Sequence, residues 1–171
     1  VAFKKQLIKQ TSDTEFVVPD TFVSLSRSKV AEAYVKRVGS YDAYLNGLAD
    51  IRYDFQQDRV VYLVKHDNKI VDATGRSLNE RKPKWRRYGN SRYPFLSGNG
   101  LCGIVVEDCP SACSVSDIWV GIALMGTTLL DEHVDIIKKF KKVFVALDKD
   151  ATSKAYMIVR KLRNYVPTRL I

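Results

Sequence analysis

The sequence predicts an α/β fold: a parallel sheet flanked by helices, preceded by a smaller mixed α+β part. Three observations predict it. Two short apolar runs, Gly103-Ile104-Val105-Val106 and Val143-Phe144-Val145-Ala146-Leu147, are rich in β-branched residues and stop abruptly on Glu107 and Asp148. Buried parallel strands read as unbroken apolar runs of this kind. Around them strand and helix patterns alternate, which calls for a parallel sheet with right-handed crossovers. Before residue 100 the pattern differs: two strand-like segments flank a polar turn, the signature of a hairpin.

Each element follows from local chemistry. Residues 1–14 are polar with few apolar positions and read as a poorly anchored lead-in, and Pro19-Asp20 marks a turn. Ser26 or Ser28 then caps a helix over 29–38, with Val30, Ala33, Tyr34 and Val38 at helical spacing, and Gly39 ends it. A second short helix is expected over 41–47, burying Leu45 and Leu48. Residues 59–64 form a strand, 66–69 a tight turn and 70–76 the returning strand. Segment 76–93 leaves the hairpin as a loop or irregular strand. The cluster Ser97-Gly98-Asn99-Gly100 is the natural boundary between a first part, 1–100, and a second, 101–171. There the expected order is strand 103–107, helix 111–120, strand 122–124, helix 131–140, strand 143–147, helix 152–164 and strand 166–171.

Length and composition bound the function. A chain of 171 residues with 46% hydrophobic residues is one ordinary domain or two small ones sharing an interface, with enough apolar surface for a core. No apolar run approaches membrane-spanning length, and Val1-Ala2-Phe3-Lys4-Lys5 does not read as a signal peptide. With no initiating Met, the chain is expected to be cut from a longer one. The three cysteines, Cys102, Cys109 and Cys113, fit reduced thiols in a cytosolic protein. With only His66 and His133 beside them, a four-ligand zinc site is poorly supported. The net charge of +9 suggests a polyanionic partner. From Arg76 to Arg92 seven basic residues face one acid, Glu80, a net +6, so most of the excess sits in one stretch. Trp85, Tyr88 and Tyr93 interleave with it and offer faces for base stacking. Such a run is otherwise an ordinary solvated surface, with Trp85 a core residue.

The acidic strand ends carry the chemistry. If strand geometry persists through Asp148-Lys149-Asp150, both carboxylates point the same way, with Cα atoms about 6–7 Å apart. Glu107 joins them if its strand is adjacent. Three converging carboxylates repel, which raises a pKa or demands a cation, and hard oxygen donors suit Mg²⁺ or Mn²⁺. The plainer alternative makes Asp150 a helix cap and Glu107 a solvated strand end.

The ordered set Val105-Val106-Glu107, Ala123-Leu124-Met125-Gly126-Thr127 and Leu147-Asp148-Lys149-Asp150 resembles a Toprim domain. Upstream, Asp58-Arg59-Val60-Val61-Tyr62-Leu63-Val64, Asn68-Lys69-Ile70-Val71, Thr74-Gly75-Arg76-Ser77-Leu78 and Lys82-Pro83-Lys84-Trp85 resemble the N-terminal subdomain of bacterial and phage replicative primases. The resemblance spans roughly residues 30–171. It implies a Toprim-type sheet behind a basic subdomain, and a cytoplasmic primase core making short RNA primers on single-stranded DNA from NTPs. A replicative helicase is the candidate protein partner. It also implies that Glu107, Asp148 and Asp150 are catalytic and hold Mg²⁺ or Mn²⁺, and that Arg76 and Lys84 contact template or nucleotide phosphates. Lys82, Arg86 and Arg87 fit that role by charge and Trp85 by its ring, and Lys154 keeps the basic residue after the second acidic motif. The family pattern has Gly directly after the first strand's Glu and Asp three residues beyond it, where this chain has Asp108 and Ser111. The competing readings are a non-catalytic nucleic-acid-binding module of the same fold and a Toprim nuclease.

Overall fold

A computed structural model describes residues 15–171. The lead-in expected over 1–14 lies outside the described residues. Phe22 N–H donates to Pro19 C=O and closes the first turn at 3.0 Å. A short strand, β1 (Phe22–Ser24), and a single 3₁₀ turn lead into α1 (Lys29–Arg37). Ser28 is the cap: its side chain accepts the Ala31 N–H at 3.1 Å. The buried positions of α1 are Ala31, Tyr34 and Val35; of the expected face Tyr34 is buried, whereas Val30 is 63% exposed. The next helix, α2 (Tyr41–Leu45), buries Ala43, whereas Leu45 is 61% exposed. Both differences have one cause. Sequence spacing reports that a helix is two-faced, but its rotation about its axis is set by the sheet it packs on.

The first sheet is a five-stranded antiparallel meander of β1, β2 (Ile51–Asp54), β3 (Arg59–His66), β4 (Lys69–Ser77) and β5 (Trp85–Arg87). The expected hairpin is β3–β4. Its two turn residues, Asp67 and Asn68, both take positive φ, at 49° and 62°, the mirror-image turn whose twist matches paired strands. The basic stretch does contain a strand: β5 pairs antiparallel with β4, Thr74 opposite Arg87 and Arg76 opposite Trp85.

The second sheet has the order β10-β9-β7-β8-β6. Here β7 (Cys102–Val106), β8 (Val120–Ala123), β9 (Lys142–Val145) and β10 (Thr168–Leu170) are parallel, and β6 (Phe95–Ser97) runs antiparallel on the edge. The crossovers are α3 (Cys109–Ser114), α4 (Asp131–Ile137) and α5 (Thr152–Leu162). The parallel sheet flanked by helices and the mixed α+β part before it are therefore both present. Several boundaries moved. The third helix is a short one beginning at Cys109, and β8 begins two residues earlier than expected.

Strand periodicity distributes the core. On β7, Ile104 and Val106 face the first sheet and, with Phe95 of β6, join Tyr62 and Val64 of β3, while Val105 faces α4 and α5 with Val134, Ile137, Ile158 and Leu162. On β3, Val60, Tyr62 and Val64 point to the second sheet and Val61 and Leu63 to Phe22 and Ala73. One apolar layer thus belongs to both sheets and holds them together.

At Gly121 on β8 a Cβ would lie 2.1 Å from the Ala112 carbonyl oxygen of α3. Gly121→Ala should cost about 1–3 kcal/mol by forcing helix and sheet apart, read as a lower urea midpoint. A second prediction concerns His133, buried in α4, whose Nδ1 accepts the Leu130 N–H at 3.2 Å. Burial holds its pKa down at about 4 from 6.5. The unfolded chain therefore takes up the proton first as pH falls. Stability present above pH 6.5 should be lost progressively towards pH 4. Urea titrations from pH 7 to pH 5 should show that slope, and His133→Gln should flatten it.

Candidate metal centre and nucleic-acid interface

Glu107 follows directly on β7, and its position is fixed from two sides. Gly126 N–H donates to its backbone oxygen and Asp148 N–H to its Oε1, both at 3.1 Å. The chain after β9 stays paired through Ala146 N–H to Val105 C=O, then leaves the sheet. The extended geometry expected over 148–150 does not persist: Lys149–Ala151 is a 3₁₀ turn, closed by Ala151 N–H on Asp148 C=O at 2.8 Å. The turn still gathers the acids, because β7 and β9 are neighbours. One oxygen from each of Glu107, Asp148 and Asp150 lies within 4.8 Å of the others.

Neither aspartate is a cap. The residue before α5 is Ala151, and no side chain caps that helix or the 3₁₀ turn before it. Desolvation, together with the like charges of Asp148, Asp150 and Asp108, raises the Glu107 pKa above its usual value. A half-buried carboxylate pressed by two exposed ones is a donor set with excess negative charge and hard oxygens, which fits a divalent cation such as Mg²⁺ or Mn²⁺.

Asp108 has a structural role. Its Oδ1 accepts the Ser111 N–H at 2.9 Å and caps α3. The two residues that depart from the family pattern are the two ends of one cap hydrogen bond.

A cleft of about 270 Å³ opens at Glu107, between the sheets. The first sheet contributes Thr74, Trp85 and Arg87 and the second Glu107, Asp108, Cys109 and Met125. Strand alternation sorts the basic residues. Trp85 and Arg87 face the cleft, whereas Arg86 lies on the other side of β5 with its guanidinium 5.1 Å from the Tyr88 ring centre. Arg76 sits 5.8 Å from the Trp85 ring centre, and Trp85 packs half-buried against Tyr62. Lys82 and Lys84 are exposed on the segment entering β5. Lys154, in the first turn of α5, donates to Thr127 Oγ1 at 2.8 Å.

Neither a family model nor a curated protein matches the sequence. Solved structures do. The zinc-binding and RNA polymerase domains of the Aquifex aeolicus primase align with a TM-score of 0.66 at 21% identity, over 86% of this chain and 50% of that one. A DnaG primase catalytic domain bound to ssDNA aligns at 0.67 and 15%, over 100% and 72%. The E. coli primase catalytic core aligns at 0.65 and 14%, over 85% and 66%. The chain has the fold of a primase catalytic core. It spans half the length of the Aquifex chain.

Within that fold, Glu107, Asp148 and Asp150 come together, and Trp85 and Arg87 meet Glu107 across the cleft. Sequence reasoning did not single out Thr74, Cys109 and Met125 as lining residues. Met125 takes φ 55° beside Gly126 at φ 151°, a left-handed bend rarely held by a non-glycine residue. Its side chain reaches the cleft only through that bend, which spacing does not reveal. Asp72 had a signal, a single acid in the apolar strand Ile70-Val71-Asp72-Ala73, since a buried carboxylate needs partners.

Because the folded-state pKa of Glu107 is raised, its ionised form costs stability at neutral pH, and that cost fades as pH falls through the raised value. Without divalent cations at pH 7.5, Glu107→Gln should therefore raise Tm. Adding Mn²⁺ should raise Tm of the wild-type chain more than that of the variant. Differential scanning fluorimetry checks both.

Proposed function

We propose that this chain is a DNA primase catalytic core that makes short RNA primers on single-stranded DNA from NTPs by nucleotidyl transfer dependent on Mg²⁺ or Mn²⁺. The observation that carries the reading is the position of the three carboxylates. They converge at the ends of adjacent parallel strands, and Glu107 among them lines a cleft whose other wall is aromatic and basic. Open α/β sheets place ligands at that end of their strands. The DnaG catalytic domain of the same fold bound to ssDNA supports the template.

In this reading Glu107, Asp148 and Asp150 hold the metal ions. When bound, these supply charge stabilisation to the attacking and leaving oxygens of the phosphoryl transfer. The chain's own residues bind and orient. Trp85 offers a ring face for a base, held at a set angle by Tyr62 and Arg76. Lys82 and Lys84 are exposed on the segment entering β5 and Lys154 lies in the first turn of α5, where they draw phosphates in, whereas Arg86, expected in the same role, is turned to the far face of β5. The division into a basic template-holding part, 1–100, and a Toprim-type catalytic part, 101–171, belongs to the same proposal, with β6 (Phe95–Ser97) reaching across to pair in the second sheet, as does action in the cytoplasm. No helix among the described residues is long and apolar enough to cross a membrane.

The test is primer synthesis on single-stranded template with NTPs and Mg²⁺ or Mn²⁺. Wild type should yield short RNA, and Asp148→Ala should reduce the yield at least a hundredfold, about 2.7 kcal/mol of transition-state stabilisation. Salt-dependent DNA binding without synthesis would instead favour a non-catalytic module, and strand cleavage a nuclease.

A further inference from the structure

Asp72 lies in the middle of β4 with its side chain fully buried. Its two oxygens collect five donors. Oδ1 accepts the N–H groups of Ala73 and Gly89 at 2.7 and 2.8 Å. Oδ2 accepts Arg87 Nε at 3.1 Å, Arg87 Nη2 at 2.5 Å and Ser91 N–H at 3.1 Å. Buried carboxylates this well satisfied are rigid anchors, since each lost donor exposes an uncompensated charge.

What is anchored is one guanidinium. Arg87 spends Nε and one Nη2 hydrogen on Asp72, and Nη2 also reaches Ser91 C=O at 2.6 Å. Its Nη1 makes no hydrogen bond among the described residues. The side chain is 37% exposed and lines the cleft on the wall facing Glu107. With Nε and both Nη2 hydrogens committed, the part of the guanidinium left for a ligand is Nη1, whose two N–H donors are held in a fixed direction and carry the charge that suits phosphate oxygens. Strand alternation, which turns Arg86 away, puts Arg87 and Trp85 on the same side of β5. Phosphate at Arg87 and base at Trp85 are therefore compatible within one ligand.

We propose that Arg87 is the phosphate-contacting cation of a nucleotide subsite in this cleft, and that Asp72 is the residue that positions it. The inference rests on the function proposed above for the substrate class, but its test is binding and not synthesis. The roles separate cleanly. Arg87 touches ligand; Asp72, which is buried, acts only through Arg87 and the 89–91 backbone. A lysine at position 87 would keep the charge, but its one nitrogen cannot lie on Asp72 and at the Nη1 position at the same time.

Isothermal titration of the full chain with ATP, ADP, AMP and adenosine in Mg²⁺ decides it. Arg87→Ala should weaken ATP by about tenfold, with a loss that shrinks with phosphate number and vanishes for adenosine. Asp72→Asn should give a similar loss for ATP, and Asp72→Asn combined with Arg87→Ala should bind no more weakly than Arg87→Ala alone. Fully additive losses, or a loss equal for ATP and adenosine, would overturn it. If Asp72→Asn does not fold, Arg87→Lys serves: ATP affinity near that of Arg87→Ala supports fixed placement, and wild-type affinity overturns it. Wild-type protein that binds no nucleotide sinks both this proposal and the primase reading. Wild-type protein that binds ATP through Arg87 but makes no primer sinks only the latter.

Discussion

Tyr62 and its neighbours on the inner face of β3 hold the two sheets in register, and every property of the cleft depends on that contact. The Tyr62 ring meets Phe95 edge-on at 5.8 Å and Trp85 at 6.0 Å, and its hydroxyl lies 3.2 Å from Ser40 Oγ. Phe95 belongs to the second sheet and Trp85 to the first. One aromatic side chain therefore touches both walls. An apolar layer continuous across two sheets resists shear better than a polar interface would, because displacement opens voids that close packing does not tolerate.

The cleft is consequently asymmetric by construction. The acidic wall is made by strand ends, and desolvation, with the like charges beside it, raises the proton affinity of Glu107. The basic wall is made by one short strand whose alternation exposes Arg86 on the far face and delivers Arg87 and Trp85 to the near one. Stability and function pull in opposite directions at the acids, since ionised carboxylates brought together cost folding energy that a cation would offset. At Asp72 they pull together, because the charge is paired and every oxygen is satisfied.

The departure at Asp108 and Ser111 shows how a motif mismatch is read in three dimensions. By sequence the two residues break the expected pattern. In the structure they form a helix cap at the edge of the cleft, with Asp108 also adding negative charge near Glu107. An altered pattern of this kind changes what surrounds the carboxylates and leaves their convergence intact.

The order and type of most elements, the hairpin with its two-residue turn, and the acids that follow β7 and β9 are legible in the residues alone. Those depend on periodicity, turn chemistry and strand endings, which are local. Packing between elements set the rotation of α1 and α2, the pairing that makes Trp85–Arg87 a strand, and the 3₁₀ turn that gathers Asp148 and Asp150 where extended backbone was expected. It also decided which basic residues face the acids. A run of arginines carries its charge in its letters, but the side of the sheet on which each one lies is set by register against a neighbouring strand. That is why Arg86 and Arg87, adjacent and identical in sequence, stand on opposite faces.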